Sequence, residues 1–511
     1  MKKMRKIFAV LLTLAMVLAM SIPTFAAEKS AQITVNGLDK DATVTYKQII
    51  EPDTTTATGW KFVDSEDAKA FNNTTDPVSE EEQQNIIRKL IKLRNNPDNS
   101  YTAQQFATAI GKIETGTSVN DENNQPKKAG EAGAISWTVN KAGVYVVNAS
   151  SSYKVENKVK YTYSTMAGYV SFDNYNKETG LPTTLVDATI TAKSSSIDIT
   201  KENNEKDKVV EVGKTVEYTV KTKIPYVNDA TPIIKFEVTD VITGAEYVTT
   251  KNNENKDILT LKVKVGTAEE VEMPVEVTNN SFTLNLTSYL NLENTEAKPK
   301  NAHANQSVVI KYNAKVTGTV VNNTVNWYDG TDKSETATDT LYTGTVTLTK
   351  TGEKGARLEN AEFVLVRKNK ADNKLTYAVV NKTENKAEYT VTSWVEEKDI
   401  TKAAIMKTDN NGNIVVKGLD DSTGEMTYEF KETKAPEGYS INEKNSEVKW
   451  ATEGAGANKE TRTGAASMTD TKLNALPSTG GIGTTIFTIA GCLIMVAAAG
   501  LFFASRKRTN K

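Results

Sequence analysis

Apolar positions change period several times along the chain. Ile7 to Met20 is an almost unbroken apolar run behind Lys2, Lys3, Arg5 and Lys6. It is too short for a comfortable membrane span and reads as an export signal, with cleavage predicted after Ala26 because small Thr24 and Ala26 flank Phe25. From 27 to 194 two periods mix. Gln32-Ile33-Thr34-Val35, Ser136-Trp137-Thr138-Val139 and Gly143-Val144-Tyr145-Val146-Val147 have strand character, whereas a capping box of Ser79 and Glu82 precedes Ile86, Ile87, Leu90, Ile91 and Leu93 at helical spacing. A second short helix is predicted near Thr102. From about 195 the helical period disappears, and Thr-, Val- and Ile-rich strands alternate with Asn, Gly, Asp and Lys turns, as in β-sandwiches. Ile482 to Ala504 is apolar and long enough to span a bilayer, and Arg506-Lys507-Arg508 would hold its end in the cytoplasm. The predicted class is mainly β, with tandem Ig-like β-sandwiches after an N-terminal α+β domain carrying short helices. Its divisions are 1–26, 27–194, 195–342, 343–472 and 473–511.

Alternation also puts charge on apolar faces. In Ile197-Asp198-Ile199-Thr200-Lys201 the lysine shares the face of two isoleucines, and Val346-Thr347-Leu348-Thr349-Lys350 repeats the arrangement. An unpaired ammonium buried there would cost several kcal/mol. Candidate partners share apolar faces of their own: Asp240 after Phe236 and Val238, and Asn323 between Val321 and Val325. For Lys350 they are Glu432 after Tyr428 and Phe430, and Asp470 after Met468. Asn322 and Asn326 point to the face opposite Asn323. Desolvation would free a neutral lysine amine and protonate the carboxyl, which then polarises the carbonyl that the amine attacks. The product is a side-chain amide that removes the buried charge and ties the first strand to the last. Alternation leaves a second reading equally open, in which the lysines reach solvent at strand ends and form simple salt bridges.

Composition narrows the function. The chain has 511 residues and a formal net charge of −2, with no basic patch that would suggest nucleic acid. Residues 27–479 suffice for about three domains of ordinary size. The single cysteine, Cys492, lies in the C-terminal apolar stretch, so the exported part has no disulfide and must obtain its resistance to unfolding otherwise. The single histidine, His303, excludes a His-rich metal cluster and most His-based catalysis. A wall-bound hydrolase in 27–194 would need paired carboxylates, and no such constellation is present. Asp409 to Gly412 reads as a hairpin turn rather than half a calcium loop, so no metal and no cofactor is expected.

Leu476-Pro477-Ser478-Thr479-Gly480, the apolar stretch and the basic tail, in that order, resemble the cell-wall sorting signal of Gram-positive surface proteins. The resemblance implies that a sortase cysteine cuts between Thr479 and Gly480 and passes the Thr479 acyl group to an amine. The alternative is an ordinary C-terminal membrane anchor. Tyr428-Glu429-Phe430-Lys431-Glu432-Thr433-Lys434-Ala435-Pro436-Glu437-Gly438-Tyr439, with Leu358 to Leu365 and Asp409 to Ile414 before Gly418-Leu419, resembles the Cna B-type domains of Gram-positive pilins and adhesins. That implies Lys350 as nucleophile, Glu432 as the catalytic acid of isopeptide formation and Asp470 as acceptor, where the family usually has Asn; Asn474 is the second candidate acceptor. Val212 to Val220 followed by Phe236 to Asp240 resembles the fimbrial isopeptide-forming type, implying Lys201 as nucleophile, Asp240 as catalytic acid and Asn323 as acceptor. The family's backbone pilins carry a polymerising lysine at the end of the first domain, normally inside an aromatic-Pro-Lys-Asn motif; the corresponding place reads Thr191-Ala192-Lys193-Ser194. The resemblance thus implies a backbone subunit of a sortase-assembled pilus, joined head to tail through Lys193 and Thr479. Its partners would be sortase, copies of itself, accessory pilins, peptidoglycan and host surface ligands. The rivals are a monomeric wall-anchored adhesin on a crosslinked stalk and the wall-bound hydrolase.

Overall fold

The computed structural model describes residues 30–508 apart from 73, 96–101, 155–157, 177, 179–181, 206, 229–232, 294, 296, 422–425, 452–461 and 474–482. The predicted export signal, Asn474 and the pentapeptide Leu476 to Gly480 therefore lie outside the described residues. The described chain divides into two compact units, one holding residues up to 205 and 214–341, the other 207–213 and 342–508.

The first unit contains two β regions. In the first region a three-stranded sheet sets Ala31–Asn36 between a parallel neighbour, Ala188–Thr191, and an antiparallel one, Ala134–Val139. An eight-stranded sheet runs through Thr43–Pro52, Gly143–Ser150 and Lys160–Tyr163 to Ser194–Ile197. The helices cover this region as the sequence predicts. Glu80–Asn95 begins at the Ser79–Glu82 capping box and buries Ile86, Ile87 and Leu90 against Trp60 and Phe62. Ala103–Ile110 starts at Thr102, whose side chain accepts from Gln105 N while the Gln105 side chain accepts from Thr102 N. A third helix, Asp67–Asn72, is too short to show a period.

The second β region of this unit packs a seven-stranded sheet, which includes Thr200–Asn203, Thr215–Lys223 and Ser307–Val316, with a four-stranded one. The latter includes Glu237–Thr243, Val320–Tyr328 and Ala337–Tyr342. Here the structure corrects the sequence reading of Ile197 to Lys201 as one strand. The chain breaks at Asp198-Ile199, so Ser194–Ile197 pairs with Lys160–Tyr163 of the first region and Thr200–Asn203 pairs with Thr215–Lys223 of the second. Lys201 nevertheless points inward.

The second unit is a ten-stranded arrangement whose first long strand, Gly344–Gly352, lies parallel to its last, Thr463–Asp470, and antiparallel to Asn413–Leu419. Along Gly344–Gly352 every second residue is buried, ending in Val346, Leu348, Lys350 and Gly352. Residues 207–213 complete this unit. Val209, Val210 and Val212 are buried, Val210 N donates to Tyr342 O at 2.9 Å and Val212 N donates to Gly418 O at 3.0 Å. Beside them Glu211 pairs with Arg367 Nη1 and accepts from the Tyr428 hydroxyl at 2.7 Å. The Arg367 guanidinium also lies 4.4 Å from the Trp394 ring centroid.

The apolar stretch near the C-terminus forms the helix Gly483–Arg508, with described side chains from Phe487 to Phe503. Among the described residues, no helix is long and apolar enough to cross a membrane.

Candidate functional site: two buried lysine–carboxyl clusters

Lys350 is placed by its backbone on both sides. Its N–H donates to Gly412 O at 2.7 Å and its carbonyl accepts from Leu358 N at 3.2 Å. Gly412 ends the turn begun by Asp409, whose Oδ1 accepts from Asn411 N and Asn413 N, so the turn uses this carboxylate for its own backbone. The position needs glycine: φ is +71°, and an added Cβ would sit 2.4 Å from Lys350 O.

With Gly352 opposite Asp470 in the parallel ladder, Lys350 faces Met468, and Asp470 lies on the same face two residues on. The Lys350 amine contacts Asp470 Oδ1 and lies 2.9 Å from Glu432 Oε1, and all three side chains are fully buried. Glu432, on Met426–Lys434, accepts from Asn442 N at 2.8 Å through its other oxygen. Burial pushes the Glu432 carboxyl above its ordinary value, against the pull of Asn442 N–H and Lys350. The Phe363 ring centroid is 5.5 Å from the amine, so the cluster's walls are apolar.

The second cluster bridges two sheets. Lys201 enters from Thr200–Asn203, while Asp240 and Asn323 stand on the paired strands Glu237–Thr243 and Val320–Tyr328 of the facing sheet. The amine contacts Asp240 Oδ2 and the Tyr312 hydroxyl, with the side chains of Lys201 and Asp240 fully buried. Tyr312 donates to Asp240 Oδ2 at 2.7 Å and accepts from Asn323 Nδ2 at 3.0 Å; Tyr247 donates to Asp240 Oδ1 at 2.8 Å. Burial lowers the Lys201 amine from its ordinary value, with Asp240 opposing, and raises the Asp240 carboxyl. Asn323 Oδ1 is buried without a hydrogen-bond partner.

The structure thus brings together Lys201, Asp240 and Asn323, and separately Lys350, Glu432 and Asp470. It rules out the reading in which either lysine reaches solvent. One expectation is corrected: Asn323 is not on the last strand of its region, which is Ala337–Tyr342. The sequence reading also missed Tyr312 and Tyr247, which sit between the groups because their strands face Asp240 across the core. Their alternation with buried Ile310 and Ala314, and with Ala245, was the available signal.

Lys193 lies between Ala188–Thr191 and Ser194–Ile197, half-buried, with its carbonyl accepting from Ser164 N at 3.0 Å. Burial lowers its amine below the ordinary lysine value. Among the described residues there is no group of His, Cys, Asp and Glu that could hold a metal ion.

Two family models match the chain. Residues 344–463 match a prealbumin-like fold domain, SpaA, and residues 469–511 match the LPXTG cell wall anchor motif. No curated protein matches. Among solved structures, the T6 backbone pilin of serotype M6 Streptococcus pyogenes is 16% identical over 88% of this chain and 100% of its own, with a TM-score of 0.48. The full-length major pilin SpaD of Corynebacterium diphtheriae is 13% identical over 88% and 99%, at 0.43. The full-length RrgB pilus protein of Streptococcus pneumoniae is 15% identical over 90% and 100%, at 0.41. With an LPXTG cell wall anchor at its C-terminus and a SpaA prealbumin-like domain before it, the chain is a cell-wall-anchored surface protein of a Gram-positive bacterium.

Proposed function

We propose that this protein is the backbone subunit of a sortase-polymerised, wall-anchored pilus, held together internally by two side-chain amide bonds. The observation that carries the reading is the pair of buried lysine–carboxyl clusters in a chain whose exported part has no cysteine. In each, transfer of the lysine proton to the neighbouring acid leaves a neutral amine beside a carboxyl that can hydrogen-bond the acceptor carbonyl. Attack of Lys201 on Asn323 releases ammonia; attack of Lys350 on Asp470 releases water. Asp240 and Glu432 supply and return protons in these single intramolecular turnovers, and the chain acts on no outside substrate.

Polymerisation would use Lys193. A sortase thioester at Thr479 of one subunit is attacked by the Lys193 amine of another, which forms an amide and frees the sortase thiol. Fixed backbone and a lowered pKa both favour Lys193, since more of its amine is neutral than in an ordinary lysine. Peptidoglycan would receive the last subunit, and accessory pilins and host ligands would complete the fibre.

The test is a blot of wall extracts boiled in detergent, comparing wild type with Lys193→Ala. A high-mass ladder that collapses to monomer in the mutant is expected. A single wall-linked species in both strains overturns the polymer and leaves the monomeric adhesin, whose stalk would contain the same two clusters.

A further inference from the structure

A third buried lysine stands outside both clusters and joins the two β regions of the first unit. Lys160, in Lys160–Tyr163 of the first region, extends its amine to Asp329, which follows Val320–Tyr328 of the second. The amine lies 2.5 Å from Asp329 Oδ2 and 2.7 Å from Asp332 Oδ2. Exposure of the side chains is 2% for Lys160, 0% for Asp329 and 28% for Asp332. The composition is that of the Lys350 cluster: one amine, one fully enclosed carboxyl and a second carboxyl on the same amine.

We infer that Lys160 and Asp329 form a side-chain amide bond, with Asp332 as the catalytic base. The turn around Asp329 is what makes this more than an ion pair. Asp329 Oδ1 accepts from Thr331 N at 2.9 Å and Asp332 N at 2.7 Å, while Asp329 N donates to Asp332 O at 3.1 Å and closes the turn. Two backbone N–H groups therefore face the oxygen on which negative charge builds when an amine attacks Cγ, the arrangement that stabilises tetrahedral intermediates of acyl transfer. Oδ2, the oxygen that must leave, is the one facing the amine.

The steps balance without any outside reagent. Lys160 passes one proton to Asp329 Oδ2, and the neutral amine attacks Cγ. Asp332 takes the second amine proton as the N–C bond forms, then delivers it to the departing Oδ2, which leaves as water. One ammonium and one carboxylate become one amide and one water. The product removes an ionic pair from a site where desolvating charge costs several kcal/mol. Asp332 returns the proton it takes, so it is unchanged over the turnover.

This inference uses the chemistry proposed for the other two clusters but stands on its own residues, and peptide mapping separates them. The exported chain from a sortase-deficient host is unfolded in urea, digested with trypsin and examined by mass spectrometry. A branched peptide joining Lys160 to Asp329, about 18 Da below the sum of its arms, is expected, with no cleavage after Lys160. Asp332→Asn, which keeps the turn's N–H groups, should restore cleavage after Lys160 and the missing mass. Cleavage after Lys160 in the wild type, with the other branched peptides present, would reduce the site to a buried ion pair and leave the proposed function standing. Loss of only the Lys201 and Lys350 branches would do the reverse.

Discussion

Glu432 is held above its ordinary value of 4.5 by burial, while Lys350 and Asn442 N–H oppose that rise. A folded state that binds a proton more tightly than the unfolded chain is favoured as pH falls and loses that advantage as pH rises through the raised value. Lys350→Met removes both the proposed crosslink and the cation, leaving Glu432 and Asp470 enclosed together. This variant should therefore melt at a higher temperature at pH 5 than at pH 7, the reverse of ordinary acid destabilisation; equal or lower melting at pH 5 would show that the two carboxylates find solvent. At the other cluster, Tyr312 joins Lys201, Asp240 and Asn323 through one hydroxyl. Tyr312→Phe should fold but retain the roughly 17 Da that the proposed Lys201–Asn323 amide loses as ammonia, read by intact mass. Glu432→Ala should restore only the roughly 18 Da of water. The lysines and their acids were legible in the sequence because a period of two puts a charge among isoleucines, valines and leucines at fixed parity. Tyr312 and Tyr247 were not, because a tyrosine on a buried face is unremarkable until its hydroxyl has a partner, and that partner is distant in sequence.

Elements followed the sequence where local chemistry dominates and departed where tertiary pairing does. Both longer helices start at side-chain caps that can be read directly from Ser79, Glu82, Thr102 and Gln105. Ile197 to Lys201, by contrast, has the alternation of a single strand, yet its two halves pair in different sheets, which no local pattern records. Val212 to Val220, which carries the resemblance to the fimbrial type, is divided too. The pairing begins only at Thr215, after Gly213 turns the chain at a φ of +95°, and Val212 belongs to the segment that completes the second unit. Glu211 in that segment neutralises Arg367 and caps the Tyr428 hydroxyl. Glu211→Ala should lower the stability of the second unit by about 1–3 kcal/mol, the usual cost of leaving such partners unsatisfied, measurable as an earlier thermal transition. A transition unchanged within error would mean that water replaces the carboxylate fully.

At the scale of the whole chain, the amides proposed at Lys201 and Lys350 close long loops, with Lys350 and Asp470 separated by 120 positions. By the chain-entropy relation used for disulfides, a loop of that length contributes about 5 kcal/mol. Their places in the sequence matter for another reason. If neighbouring subunits hold this one at Lys193 and Thr479, a pull along the fibre follows the shortest covalent route. That route runs from Lys193 to Lys201, crosses to Asn323, continues to Lys350, crosses to Asp470 and leaves at Thr479. Residues 202–322 and 351–469 carry none of the tension, so the sandwiches cannot be drawn out however hard the fibre is stretched. Single-molecule pulling on the wild type should show no long extension step, whereas Glu432→Ala should release residues 351–469 and add on the order of 400 Å of chain at about 3.4 Å per residue. A first strand that carries a buried lysine near its end and a last strand that ends with a buried aspartate thus convert a folded domain from a spring into a fixed length of rope.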